Sequence, residues 1–318
     1  MYRLLVVLVG LLSSALLIQV SAQPGQPVKA HNALVHAIAV SPDGKTVATG
    51  GFDNLVKLWD ISPDGTLKEK KVLTGHTAGV YAVAFHPKEN VLVSASQDKT
   101  ARIWNLADGK TTFELKGHTG IVDTVAYSPD GKTIATGSED KSVKLWNPVD
   151  GKELKSLGTH GASVYAVAFA PDGKTLASAS ADNLVKIWDV VGQKELKQLK
   201  GHEQPVTTVA FAGDANVVVS ASMDRTIRVW NVTDGKETKK LGPTTDDPYA
   251  LAWWQPSKTL AVCGYSGQVT TWSLDDPKPK FTKPIKSPGY CIAFTGDGKA
   301  VLTGHDNGTV VLTALTGK

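Results

Sequence analysis

From residue 31 onward the chain alternates apolar and polar positions in short runs separated by turn residues. In "GVYAVAF", "VLVSAS", "TARIWN" and "TTFELK", which follow one another from 79 to 116, apolar, β-branched or aromatic residues recur at every second position. That period places them on one face of half-buried strands. "SPDGKT" and "APDGKT" join the first run to the second, and their Asp-Gly pair signals a tight turn. No amphipathic helical pattern competes with this reading. The pattern predicts units of four short antiparallel strands.

The unit repeats. His76, His118, His160 and His202 are each preceded by Gly or Thr and lie 42 residues apart. Each His is followed 22 residues later by an Asp (Asp98, Asp140, Asp182, Asp224). Six residues further on comes a Trp (Trp104, Trp146, Trp188, Trp230). His31, Asp53 and Trp59 keep the same offsets one copy earlier. Two weaker copies follow. The sixth keeps Trp272 but has Ser266 at the Asp position and no His. The seventh keeps Asp306 and has Leu312 in place of Trp. Seven copies nearly fill 23–318, so one domain is expected there. A four-stranded unit cannot bury both faces alone, and stacking copies side by side does bury them.

This Gly-His, Asp and Trp-Asp/Asn spacing resembles the WD-repeat family over essentially the whole of 23–318. The resemblance implies an all-β fold, a seven-bladed β-propeller of four-stranded antiparallel blades. It also implies that residues 26–30 supply the outer strand of the seventh blade and close the ring. In the family the Asp bonds the imidazole, the imidazole bonds a Ser or Thr hydroxyl, and that hydroxyl meets the Trp N–H. Carried over, the sets are His31/Thr49/Asp53/Trp59, His76/Ser94/Asp98/Trp104, His118/Thr136/Asp140/Trp146, His160/Ser178/Asp182/Trp188 and His202/Ser220/Asp224/Trp230. They resemble a Ser-His-Asp catalytic constellation, but a nucleophile needs one exposed Ser, whereas this set occurs five times and ends on a Trp. Their expected role is structural.

Composition adds limits. Lys and Arg number 34 against 30 Asp and Glu, a net charge of only +4, which is weak support for nucleic-acid binding; the excess sits partly in Lys278, Lys280, Lys283 and Lys286, read as a solvated loop, and no nucleic-acid partner is expected. The first segment differs from the rest. Arg3 precedes an apolar run from Leu4 to Val20 that ends in Ser21 and Ala22, the pattern of a secretory signal peptide cut after Ala22. Residues 1–22 are therefore read as a leader. Export to the periplasm or the extracellular space is expected, with no membrane span left after cleavage. Cys263 and Cys291, on adjacent blades of an exported chain, are a possible disulfide or two buried thiols.

Outside the repeated His position only His36, His86 and His305 remain, too few for a metal site. No phosphate loop, nucleophile elbow or zinc-protease motif is present. No cofactor is expected. Two aligned positions do not follow the repeat. Five residues after the His position the copies carry His36, Tyr81, Asp123, Tyr165, Thr207, Tyr249 and Tyr290. Just before the Asp position they carry Phe52, Gln97, Glu139, Ala181, Met223, Tyr265 and His305. In the family these positions face the channel mouth on the side of the Asp turns, where partners bind. The aromatic members gather on copies 6, 7, 1 and 2, and exposed Tyr and Phe make binding hot spots. The expectation is a non-catalytic scaffold, a monomer within a larger assembly, that binds a protein or peptide through His36, Phe52, Tyr81, Tyr165, Tyr249, Tyr265, Tyr290 and His305. An enzyme working at the propeller mouth, hydrolase or lyase, is the alternative.

Overall fold

Each copy of the repeat folds as one four-stranded antiparallel sheet, because its alternating runs are joined by turns too short for any other pairing. In a computed structural model, which describes residues 26–62 and 65–315, there are seven such sheets. The leader read at 1–22 lies outside the described residues. Blade 1 consists of Val35–Val40, Thr46–Gly51, Val56–Ile61 and Leu67–Leu73. Blades 2 to 6 follow in sequence order and repeat its topology. The first strand of every blade touches the first strands of both neighbours, so these strands ring the centre.

The core lies between blades. Leu58 of blade 1 packs with Val80, Leu92 and Trp104 of blade 2, and Val143 and Leu145 of blade 3 pack with Val164 and Trp188 of blade 4. The indoles of Trp59, Trp104, Trp146, Trp188, Trp230 and Trp272 are almost wholly buried. Each blade thus covers the face its neighbour cannot cover for itself, which is why a single copy has no stable fold of its own. The outermost strands are exposed and rich in lysine, as in Lys194–Leu199 and Glu237–Leu241. Charge on these free edges opposes edge-to-edge pairing with other chains.

Blade 7 is built from both ends of the described chain. Gly289–Phe294, Ala300–His305 and Thr309–Ala314 are completed by Val28–Lys29, which pairs with Val310 and Thr309. The expected closure is present, and the closing strand is only two residues long. Gly308 holds the seam, since its carbonyl accepts the N–H groups of Ala30 and His31. Its φ is +78°, and a Cβ there would lie 2.1 Å from the His31 carbonyl oxygen, so no other residue fits.

Candidate functional site

The five full sets form one relay, five times over. In blade 3 the Trp146 indole N–H donates to Thr136 Oγ1 at 2.8 Å, Thr136 lies 2.7 Å from His118 Nε2, and His118 Nδ1 lies 2.8 Å from Asp140. Thr49, Ser94, Ser178 and Ser220 are the hydroxyl hubs of blades 1, 2, 4 and 5, with every contact between 2.7 and 2.9 Å. The carboxylate can only accept, so Nδ1 carries a proton toward it; where the ring is neutral, Nε2 is then bare and accepts the hub's hydroxyl proton, while a lone pair of the hub takes the indole N–H. Burial lowers the pKa of His31, His118 and His202 in spite of their Asp partners, which keeps these rings neutral. Burial alone would raise the Asp carboxyls. Bonds from the imidazole and from nearby backbone and hydroxyl groups outweigh it and hold Asp140, Asp182 and Asp224 down at about 2. All five hubs are fully buried and doubly bonded, so none is placed to attack a substrate.

Blades 6 and 7 depart from this plan, and blade 7 corrects the sequence reading. In every blade the residue after the Asp position has positive φ: Asn54, Lys99, Lys141, Asn183 and Arg225, then Gly267 and Gly308. Gly308 therefore puts Asn307, not Asp306, at the Asp position. Asn307 Oδ1 accepts from the N–H and the hydroxyl of Thr309, as Asp98 does from Thr100. His305 then aligns with Gly51 rather than Phe52 and leaves the mouth. It is 0% exposed, its Nε2 is 2.9 Å from Thr303 Oγ1, and its Nδ1 is 2.9 Å from both the Pro288 carbonyl and the Ser287 hydroxyl. His305 thus replaces, from within the second strand, the histidine that the loop of blade 7 lacks. The slip of one residue was hidden because His-Asp-Asn offers two adjacent side chains suited to the Asp position.

The aligned position five residues after the His has a structural identity that the sequence did not disclose. It is the β-bulge of the first strand in all seven blades. Pairing skips His36, Tyr81, Asp123, Tyr165, Thr207, Tyr249 and Tyr290 in turn. A bulged residue has no ladder partner, and its side chain is re-aimed away from the sheet faces. This frees the position from the repeat. Of the seven residues expected on blades 6, 7, 1 and 2, five converge: Tyr249, Tyr290, His36, Phe52 and Tyr81. Tyr249 stacks on Tyr290 at 5.3 Å between ring centres, Tyr290 lies 6.4 Å from His36, and His36 contacts Phe52 at 5.5 Å and Tyr81 at 4.7 Å. Phe52 and Tyr81 close the arc at 5.1 Å. His36 Nδ1 is 2.9 Å from the Tyr81 carbonyl oxygen, and burial lowers its pKa, so the ring is a neutral member of the arc. Tyr265, just before the Asp position of blade 6, is 64% exposed and Phe52 37%. Tyr165, on blade 4, stands outside the arc.

Across the mouth from blades 6 and 7, the same two positions on blade 3 carry the acids Asp123 and Glu139. Burial first, and then the charge of Glu139, push the Asp123 carboxyl up to about 7. Its Oδ2 is buried without a hydrogen-bond partner among the described residues. The phenols of Tyr81 and Tyr165 are raised by burial and by these same two carboxylates, which places both rings beside the acid pair. Neither Asp123 nor Glu139 has an ion pair among the described residues. Two acids 16 residues apart carry no local signal; only the bulge of one and the turn of the other bring them together.

The pairing left open for Cys263 and Cys291 is not made. Both thiols are free and buried. Cys263 Sγ points at the Gly289 carbonyl, on the blade 6 side, whereas Cys291 Sγ points the other way, toward the Val35 carbonyl of blade 1. Burial raises both thiols, Cys291 to about 12, so neither is a reactive thiolate. A groove of about 530 Å³ between blades 1 and 2 lies at the opposite end from the mouth, lined by the turns around Pro42 and Pro87. Lys71 bridges it to the carbonyls of Leu106 and Ala107.

Seven blades with a buried Trp–hydroxyl–His–Asp relay in five of them define a β-propeller of the WD type. Comparison with known families agrees. The family model described as "Echinoderm microtubule-associated protein second beta-propeller" matches residues 80–250, and that described as "WD domain, G-beta repeat" matches residues 23–60. The chain belongs to the WD-repeat β-propeller family. No curated protein matches it.

Proposed function

We propose that this propeller is an exported, non-catalytic scaffold that captures a protein or peptide partner at the mouth formed by its seven bulges. The aromatic arc Tyr249–Tyr290–His36–Phe52–Tyr81 carries this reading, because it concentrates rings at the positions released from the repeat. WD-repeat propellers generally serve as interaction platforms. Half-buried rings already held by their neighbours lose little conformational freedom when a partner covers them. The partner best suited presents an apolar side chain to the arc and a basic one to the Asp123–Glu139 pair, which has no counter-charge among the described residues and whose raised Asp123 carboxyl a basic group would help to ionise.

Capture of partners from the native exported fraction, followed by titration, tests the surface. Tyr81→Ala and Tyr290→Ala should each weaken binding by about 1–3 kcal/mol while leaving the melting temperature almost unchanged. Tyr165→Ala, outside the arc, should matter less. Full affinity in both Tyr81→Ala and Tyr290→Ala would move the binding surface elsewhere. Export rests on the apolar run to Val20 and the Ser21-Ala22 end. The first residue found by N-terminal sequencing of protein from its native host should be Gln23, and an intact Met1 would exclude cleavage.

A further inference from the structure

Blade 6 keeps the tryptophan of the relay and has lost everything it bonds to. Alignment on Gly267 puts Thr244 at the His position, Val262 at the hub and Ser266 at the Asp position. Trp272, only 2% exposed, is left with an indole N–H that finds no acceptor among the described residues. Two further buried atoms in the same place have no hydrogen-bond partner among the described residues, Gln268 Oε1 and Asp246 Oδ2, although the Ser266 hydroxyl reaches the Asp246 carboxyl group. The three side chains line one small cavity of about 20 Å³, whose other walls include Thr244, Val262 and Ser266. The cavity therefore occupies the space where blades 1 to 5 hold imidazole and hydroxyl.

We propose that this cavity is a binding site for a single water molecule, which takes over the relay of blade 6. The site presents one donor and two acceptors. Its ligand must accept one hydrogen bond and donate two. A cation has nothing to offer the indole N–H, and an anion would face two oxygens. An ammonium group donates but cannot accept. Water does both, and it also serves the Gln268 amide in its reversed orientation. The volume suits one water, since about 10–15 Å³ is the least a water needs. Three buried polar atoms left dry would each cost about 1–3 kcal/mol. The exposed Thr245 and Ser266, 3.4 Å apart, form the rim, so the site opens at the blade 6 end of the mouth beside Tyr265.

A crystal structure of the chain at about 1.5 Å resolution tests this. We expect one spherical density peak within hydrogen-bonding distance, about 3.2 Å or less, of Trp272 Nε1 and of at least one of the two oxygens. A dry cavity, density for a larger molecule, or side chains rotated to pair with each other would overturn the proposal. In solution the Trp272 indole proton, assigned by its loss in Trp272→Phe, should show a cross-peak to bound water. Val262→Thr supplies a hub of the kind that Thr49 and Thr136 provide. If water already satisfies the indole, this change should remove the cross-peak and raise the melting temperature by no more than about 2 °C. A larger rise would show that the N–H had been unpaired, contrary to the proposal.

Discussion

Asp140→Ala should lower the unfolding free energy by about 2–4 kcal/mol, among the largest effects open to a single polar substitution in this chain. Asp140 accepts four hydrogen bonds, from His118 Nδ1, the Thr119 N–H, and the N–H and hydroxyl of Ser142. Alanine would leave the buried His118 Nδ1–H without its acceptor and the turn without its anchor. Ser266→Ala, at the matching position of blade 6, should cost under about 0.5 kcal/mol, because no imidazole depends on Ser266. Urea unfolding followed by tryptophan fluorescence measures both. Similar small losses in the two variants would mean that the relay is an ornament of the fold and not a lock.

The same relay sets a pH dependence. Asp140 titrates at about 2 in the fold and near 3.8 when unfolded, so its share of the stability is present above pH 4 and is lost as the pH falls toward 2. The shift corresponds to about 2 kcal/mol. His118 is lowered from its ordinary 6.5, so the unfolded chain takes up a proton that the folded ring refuses. That contribution is complete above pH 6.5 and erodes below it. Both effects weaken the propeller in acid. Asp140→Ala should lose the carboxylate part of this acid sensitivity.

Asp123→Asn should have the opposite sign, stabilising the isolated propeller by about 1–3 kcal/mol at pH 8 and hardly at all at pH 4. Here the folded pKa is raised, from 3.8 to about 7, by burial and by Glu139. The fold holds the proton more tightly than the unfolded chain, so stability declines as the pH climbs from 4 to 7 and the penalty is complete above 7. Partial contact with solvent in the mouth keeps this penalty below about 4 kcal/mol, the value that the full shift corresponds to. Asparagine keeps the shape and removes the charge. Thermal melts of both proteins at the two pH values decide the matter, and an Asn variant no more stable at pH 8 would contradict the account. In the proposed function the same substitution should weaken a partner that brings a basic residue to the acid pair. A residue that costs stability and serves binding is what a functional surface is expected to contain.

Much of the molecule was legible in the residues because its contacts are periodic. His118, Thr136, Asp140 and Trp146 meet within a span of 28 residues, and the same span recurs in every full copy, so spacing alone names the partners. The aromatic arc was legible for the same reason: its members sit at two aligned positions, and aligned positions in a closed ring become neighbours. Only the tertiary structure showed that the first of these positions is a β-bulge, because a skipped pairing leaves no mark on the alternation of side chains. It also moved His305 from the mouth into the core, where a one-residue slip in a decayed repeat is resolved by the positive φ of Gly308 and by the bond to Thr303. The sequence put Cys263 and Cys291 on adjacent blades but could not say that their thiols point to opposite sides of one strand. Nor could it raise Asp123, whose titration depends on burial and on a carboxylate from a different turn. Spacing records which residues a repeat brings together along the chain. Which way a side chain faces, and how much water it keeps, is decided by the neighbouring blades packed against it.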